Sequence, residues 1–209
     1  MKTSNIILLA IFATILIWIT AGFVTAKNKI KEFVNDHPEA VIQKDVDKER
    51  ETIKLESFKT VVLNGKGEIN IEQANENSFD QLVDDTNTAE VKNDTLYINI
   101  SGKECNLNVE NITSIQTNES TRVDIYDLKA DSFNVYTSEV SRVKMKGLNS
   151  SLLIIDANGK SKIILRDVNK KAGMKAEFHL KDKSHLEINN TEGMSLSVQK
   201  EADAKYEDD

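Results

Sequence analysis

The sequence predicts an all-β chain: a single-domain parallel β-helix, or β-solenoid, with rungs of about 20 residues, preceded by one N-terminal transmembrane helix. Three observations carry this. First, one short phrase occurs four times: Thr121-Arg122-Val123-Asp124-Ile125, Ser141-Arg142-Val143-Lys144-Met145, Ser161-Lys162-Ile163-Ile164-Leu165 and Ser184-His185-Leu186-Glu187-Ile188. The first three copies are spaced 20 residues apart and the fourth follows after 23. Second, apolar and polar residues alternate within each phrase, which is the period of a strand and not of a helix. Third, further apolar positions follow the phrases in the same register: Leu128, Leu148 and Val168, then the pairs Phe133 and Val135, Leu153 and Ile155, and Leu196 and Val198. A unit of this length cannot bury its own apolar face, so it must stack on copies of itself, with about two strands per turn and turns roughly 4.8 Å apart.

The elements follow in order. Residues 1–26 form a membrane anchor or signal peptide. From Ile6 to Ala26 no charge occurs, and only Thr14, Thr20 and Thr25 interrupt the apolar run. About 20 such residues span a bilayer as a helix. The Val24-Thr25-Ala26 end also suits a cleavage site, and the absence of a cysteine after it excludes a bacterial lipoprotein. An uncleaved anchor is the reading taken. Lys27, Lys29 and Lys31 follow the stretch while Lys2 precedes it, so the positive-inside count would hold the domain in the cytoplasm. A short tail, a long hydrophobic segment and then a β-domain is the layout of an exported protein. The expectation is a single-pass cell-envelope protein with its β-domain outside the cytoplasm, periplasmic or at the surface.

Residues 27–56 read as a charged linker, centred on Lys44 to Glu51. The β-solenoid domain is placed at residues 57–199. It opens at Phe58 with two short strands, around Val61 to Leu63 and Ile69 to Gln73, joined by a turn at Gly65 and Gly67 that starts the stack. A polar insertion, Asn75 to Thr88, follows. Glu90 to Ile100 then reads as strands about a tight Asn93-Asp94 turn, with Leu96, Ile98 and Ile100 pointing inward. Leu107, Val109, Ile112 and Ile115 form a degenerate rung ahead of the regular ones. Cys105 shares parity with Leu107 and Val109, and so reads as a small buried apolar side chain. Residues 200–209 are an acidic tail with the composition of a cap or a solvated end.

Composition bounds the chemistry. Across 209 residues the chain is 39% apolar and 6% aromatic, a core of Ile, Leu and Val, and its net charge of −7 gives no basic footprint for nucleic acid. The single cysteine cannot form an internal disulfide.

The opening Phe58-x-x-Val61-x-Leu63-x-Gly65-x-Gly67-x-Ile69-x-Ile71-x-Gln73, with Val91-x-Asn93-Asp94-Thr95-Leu96-Tyr97-Ile98 after it, resembles the head GIN domain of autotransporter adhesins, a family frequent in Bacteroidetes. The later phrases, in which a turn rich in Ser, Thr, Asn or Gly precedes an aliphatic pair, look like that family's rungs. The resemblance covers about residues 58–199. It implies a stacked, largely parallel β-helix that is exported and envelope-associated, and it supplies no catalytic residues. This sequence departs from the family by carrying Asn118 and Thr137-Ser138 where its turns often place Ser-Gly.

The candidate binding residues are Arg122, Arg142, Lys162 and His185, which hold the same position in the four phrases. Stacked one per rung, they predict a cationic stripe on an outward face, able to grip an anionic glycan. His179 and His185, with Asp182 or Glu187, could approach zinc geometry across a turn. The better reading makes His185 one more exposed polar residue of the stripe, and no metal or other cofactor is expected. Asp124, Asp127, Asp156 and Asp167 are scattered, and Lys144 and Ile164 occupy the repeat positions equivalent to Asp124, so no ladder of acids forms. No nucleophile elbow, phosphate loop or calcium nonapeptide occurs. The function expected is therefore a non-catalytic envelope module for binding, adhesion or envelope organisation. Its partner is a protein or anionic glycan of the envelope, its membrane contact is the N-terminal helix, and nucleic acid is not a partner. A membrane-linked sensor or regulatory module, or a β-helical polysaccharide-active enzyme, are the competing readings.

Overall fold

Alternating side chains need two environments, and this chain supplies them with two sheets whose inner faces share one core. The computed structural model describes residues 49–168, 174–189, 194–201 and 203–208. Every element among them is a strand or a turn, and none is a helix. The amino-terminal part contains β1 (Arg50–Lys54), β2 (Thr60–Gly65), β3 (Gly67–Gln73), β4 (Ser78–Leu82), β5 (Thr88–Lys92), β6 (Thr95–Ile100), β7 (Cys105–Val109) and β8 (Ser114–Thr117). The repeats supply β9 (Thr121–Tyr126), β10 (Lys129–Thr137), β11 (Arg142–Lys146), β12 (Asn149–Ala157), β13 (Lys162–Arg166), β14 (Met174–Leu180), β15 (His185–Asn189) and β16 (Met194–Lys200), and β17 (Lys205–Asp208) follows.

The four phrases become β9, β11, β13 and β15, which pair in parallel with Val123 beside Val143, Val143 beside Ile163 and Ile163 beside Leu186. The intervening strands β10, β12, β14 and β16 do the same in the second sheet, where Val135, Ile155, Phe178 and Val198 are successive neighbours. The result is a nine-stranded sheet in the order β1-β4-β7-β3-β9-β11-β13-β15-β17 and an eight-stranded sheet in the order β16-β14-β12-β10-β8-β2-β6-β5. Neither sheet closes into a barrel. The inward columns of both join in one apolar core, with Phe79, Phe133 and Phe178 among its largest buried side chains.

Left-handed corners separate the strands. Glu119, Glu139, Gly159 and Asp182 occupy one corner, with φ of 61°, 58°, 71° and 54°, and Asp127, Gly147 and Asp167 occupy the other, with φ of 52°, 74° and 48°. The turns without glycine keep this conformation with Glu119 and Glu139, so Asn118 and Ser138 do not open them. Rungs are tied at the corner by backbone bonds such as Val140 N to Glu119 O at 3.3 Å and Lys183 N to Gly159 O at 2.9 Å. The hydroxyl that opens each phrase is buried just after this corner. Thr121 Oγ1 donates to Asn118 O at 2.8 Å and Ser141 Oγ to Ser138 O at 2.9 Å, each reaching back three residues to satisfy a carbonyl at the bend.

The amino-terminal half is more complicated than its sequence suggests. β2 and β3 do not start the stack: β2 lies between β6 and β8, and β3 between β7 and β9. The supposed polar insertion contains β4, whose Phe79 is fully buried opposite Leu107. β4 runs antiparallel to β7 and β1 antiparallel to β4, while β5 turns back on β6 through Asn93 and Asp94, both at positive φ. The stretch Leu107 to Ile115 is divided between sheets, with β7 joining β3 and β8 joining β2. Pairing also takes in β1, within residues 27–56, and β17, within residues 200–209, where Tyr206 packs on the core and Ala204 is buried. The predicted N-terminal helix of residues 1–26 lies outside the described residues.

Cys105 is fully buried in the column of Ile69, with Sγ 3.6 Å from Glu68 O. Burial, reinforced by the charge of Asp85, pushes its thiol up to about 12.

Two outcomes follow from this packing. A Cβ at Gly159 would lie 2.6 Å from the Glu139 carbonyl oxygen, so Gly159→Ala is expected to cost about 1–3 kcal/mol, read as a lowered thermal midpoint, whereas Glu139→Gly leaves the midpoint unchanged or raises it. Cys105 is expected to resist an aromatic disulfide reagent at pH 8 in the folded protein and to react within the mixing time once denaturant is added. Rapid reaction without denaturant would show that the column is open.

Candidate functional site

Parallel pairing without slippage has a direct consequence for outward side chains: the same position of each phrase forms a straight row across the sheet, at about the 4.8 Å strand spacing. Arg122, Arg142, Lys162 and His185 are successive neighbours in such a row on the nine-stranded sheet. Lys205 extends it beyond His185, and Glu68 ends it on the other side of Arg122. The row is flanked by carboxylates. Arg122 Nε lies 3.4 Å from Glu68 Oε1, Lys162 Nζ 2.9 Å from Glu187 Oε2, and His185 Nε2 3.4 Å from Glu207 Oε2. Arg142 makes no ion pair among the described residues. Glu187 also faces Arg166 at 3.9 Å. The hydrogen bond from Lys162 holds its carboxyl below the usual carboxylate range, against the opposing effect of burial.

The two histidines are not brought together. His179 lies on β14 in the eight-stranded sheet, with Nδ1 2.7 Å from Asp156 Oδ1, while His185 lies on β15 in the other sheet. Among the described residues no group of three or more His, Cys, Asp and Glu side chains has the arrangement of a metal site.

Toward the amino-terminal end of the same face the chemistry changes sign. The row two residues along from the stripe reads Asp80, Asn106, Asn70, Asp124 and Lys144 across β4, β7, β3, β9 and β11. Glu68, Glu72 and Glu104 stand around it, and together they enclose a cleft of about 400 Å³. Apart from Leu107 and the ring of Tyr126, its lining is carboxylate and amide. Asp124 is 6% exposed although it points outward, because Asn70, Tyr126 and Lys144 crowd it. Its Oδ2 accepts from Tyr126 Oη at 3.3 Å and faces Lys144 Nζ at 3.9 Å. Its Oδ1 is buried without a hydrogen-bond partner among the described residues, and so is Asp80 Oδ1. Burial, followed by the charge of Asp124, raises the Tyr126 phenol above its ordinary value, with Glu68 and Glu104 adding to the shift.

Sequence reasoning placed the stripe and missed the cleft. Asp124 reads as a scattered acid when compared with Lys144 and Ile164 further along the stack. Its acidic neighbours come from β3, β4 and β7 on its other side, and β4 is hidden in a segment that reads as an insertion. The available signal was the alternation of polar outward residues in Glu68-Ile69-Asn70-Ile71-Glu72 and Asn106-Leu107-Asn108.

A family model described as "Putative auto-transporter adhesin, head GIN domain" matches residues 57–207. The chain belongs to this family. No curated protein sequence matches it. Among solved structures it is similar to a putative adhesin from Parabacteroides merdae, at 10% identity over 77% of this chain and 95% of that one, with a TM-score of 0.42. A putative adhesin from Bacteroides fragilis gives 13% identity, 77% and 96% coverage and a TM-score of 0.45. A protein described as a putative lipid binding protein from Parabacteroides distasonis gives the same identity, coverage and score. The matched residues take in β2 to β16 and most of β17, and leave β1 outside.

The Lys162–Glu187 pair supplies a local test. A carboxyl whose folded pKa is depressed stabilises the fold above its unfolded pKa, and that contribution is lost as pH falls through the folded value. Lys162→Ser is expected to move the Glu187 titration up toward the ordinary carboxylate range, followed by carboxyl carbon chemical shift, and to reduce the acid-side loss of stability. An unmoved titration would mean that the pair does not form in solution.

Proposed function

We propose that this chain is a non-catalytic cell-envelope module that binds a macromolecule through the outer face of its nine-stranded sheet. In this reading residues 57–199 coil as a β-solenoid, the alternation of consecutive strands between the two sheets being its turns. Residues 1–26 anchor it, residues 27–56 link it to the membrane, and the domain stands outside the cytoplasm. Membership of an adhesin-head family supports the binding role.

The observation that carries the reading is the unbroken row Arg122, Arg142, Lys162 and His185 across four adjacent strands. A repeating row on an open face suits a polymer with its own repeat better than it suits a small molecule, which needs an enclosing pocket. The carboxylates beside the row do not disqualify it. Arg122 and its partner Glu68 are 46% and 38% exposed, and an exposed pair is worth about 0–1 kcal/mol, so an anionic polymer exchanges one carboxylate for another at small cost. Arg142 is ready for contact without exchange. The flat face makes an anionic glycan the best-fitting ligand of the stripe.

Replacing Arg122, Arg142 and Lys162 together with Ser is expected to lower capture on polygalacturonate-coated beads at least ten-fold while the far-ultraviolet spectrum and thermal midpoint remain those of a folded β-protein. Wild-type capture should weaken with salt, as for any contact between exposed charges. Capture that survives the triple substitution would remove the stripe from the binding surface.

A further inference from the structure

The acidic cleft adjoins the stripe on the same face, where Glu68 both lines the cleft and pairs with Arg122, and it is opposite to the stripe in charge. Asp124 is 6% exposed, its Oδ1 has no hydrogen-bond partner among the described residues, and it lines the cleft. A buried carboxylate oxygen held without a donor is a position that a ligand's donor satisfies. Asp80 presents a second such oxygen, Oδ1, at the other end of the row.

The chemistry of that donor is narrowed by geometry. Asp80 and Asp124 stand three strands apart, about 14 Å at the usual spacing, so one cation cannot bridge their two free oxygens. No metal-type group of three ligands is formed among the described residues. An anion would meet five carboxylates, Glu68, Glu72, Asp80, Glu104 and Asp124. A lipid or other apolar ligand would find no apolar wall. What remains is an extended, uncharged or positively charged ligand that offers hydrogen-bond donors at intervals along a row of Asp, Asn, Asn and Asp. Hydroxyl-bearing sugar rings fit: each hydroxyl both donates and accepts, carboxylates and amides answer both functions, and linked rings advance by a distance close to the strand spacing.

We propose that this cleft binds a saccharide chain that carries no acid group, with Asp124 and Asp80 accepting from ring hydroxyls and Asn70 and Asn106 between them. The proposal names a ligand class for the binding module put forward above and rests on that reading, but it concerns different residues from the stripe.

The test uses the full chain in a detergent without sugar. It is first applied to an array of neutral, amino-bearing and uronic-acid oligosaccharides, and the tightest neutral or amino-bearing one is then titrated by calorimetry. Expected is binding of a neutral or amino-bearing sugar that is weakened at least ten-fold by Asp124→Asn and by Asn106→Ala and unchanged by Arg142→Ser/Lys162→Ser, which leaves the cleft intact, whereas any uronic-acid sugar held by the stripe is weakened by the latter variant and not by the cleft variants. If Asp124→Asn does not fold, the Asn106→Ala result decides. Binding of uronic-acid sugars alone, no binding anywhere on the array, affinity indifferent to both cleft variants, or cleavage of the bound sugar would each overturn the proposal. Calcium uptake that depends on Asp124 without any sugar binding would overturn it in favour of an ion site. Failure of the stripe shows instead as polygalacturonate capture that the triple variant leaves unchanged, so the two readings fail separately.

Discussion

Parallel pairing in register is the constraint on which the rest of this structure depends. It places each residue beside its repeat equivalent, so whatever is chosen at one position is multiplied along the stack. Inside, this is favourable without further design: Val123, Val143, Ile163 and Leu186 form a continuous apolar column, as do Val135, Ile155, Phe178 and Val198 in the second sheet. Outside, the same rule sets Arg122 beside Arg142 and Arg142 beside Lys162. Two like charges 4 Å apart repel by about 1 kcal/mol even in water, so a cationic row opposes the register that creates it. Glu68, Glu187 and Glu207 offset that repulsion from neighbouring positions. That offset acts whether or not the row has a ligand.

A stack of strands also has ends, and unpaired strand edges invite association with other chains. At the amino-terminal end the chain reverses direction. β1 and β4 finish the nine-stranded sheet in antiparallel pairing and β5 does so for the eight-stranded one, with exposed charged residues such as Arg50, Glu51 and Lys92 on the outermost strands. Direction reversal explains why the order of strands departs from the order of the chain there. β2 and β3 are made first, and the segment from β4 to β7 then builds outward from them while β8 resumes on the opposite side. At the other end β16 keeps Met194, Leu196 and Val198 only half-buried, and β17 adds Tyr206 beside Leu186.

How far the sequence disclosed this depends on what a repeat can encode. The spacing of 20 residues specifies pairing between successive rungs, so the strands β9 to β15, their inward residues and the row from Arg122 to His185 were readable from the chain. The left-handed corners at Glu119 and Glu139 were harder, because their conformation is imposed by the stacked backbone and not by a glycine. β1 and β4 have no repeat equivalent, while β17 keeps the repeat register, Lys205 beside His185, but carries only Tyr206 of the phrase's apolar pair. β4 is five residues in a polar setting with Phe79 as its one fully buried apolar side chain, and its neighbour β7 lies about 30 residues further along the chain, as Ser78 opposite Asn108 shows. No local period can reveal such a partner. The cleft inherits this difficulty, since it exists only where β4, β7 and β3 meet β9.

The change of sign across the face follows from the same division. Reading from β3 through β9 to β11, one row passes from Glu68 to Arg122 and Arg142, the next from Asn70 and Asp124 to Lys144, and the third from Glu72 through Tyr126 to Lys146. All three rows turn from acidic or neutral to basic within the same two strands. The repeats carry the basic half, and the segment that builds outward from β3 carries the acidic half, so one continuous sheet has two electrostatic characters without any break in its backbone pairing. Asp124 sits at the junction, its Oδ2 held by Tyr126 and faced by Lys144 and its Oδ1 without a hydrogen-bond partner among the described residues. A ligand lying along the stack would therefore be oriented by the face. Acid groups would favour the β11–β13 end and hydroxyl or amino groups the β3–β7 end, and that direction is set by the order of strands more than by any single residue.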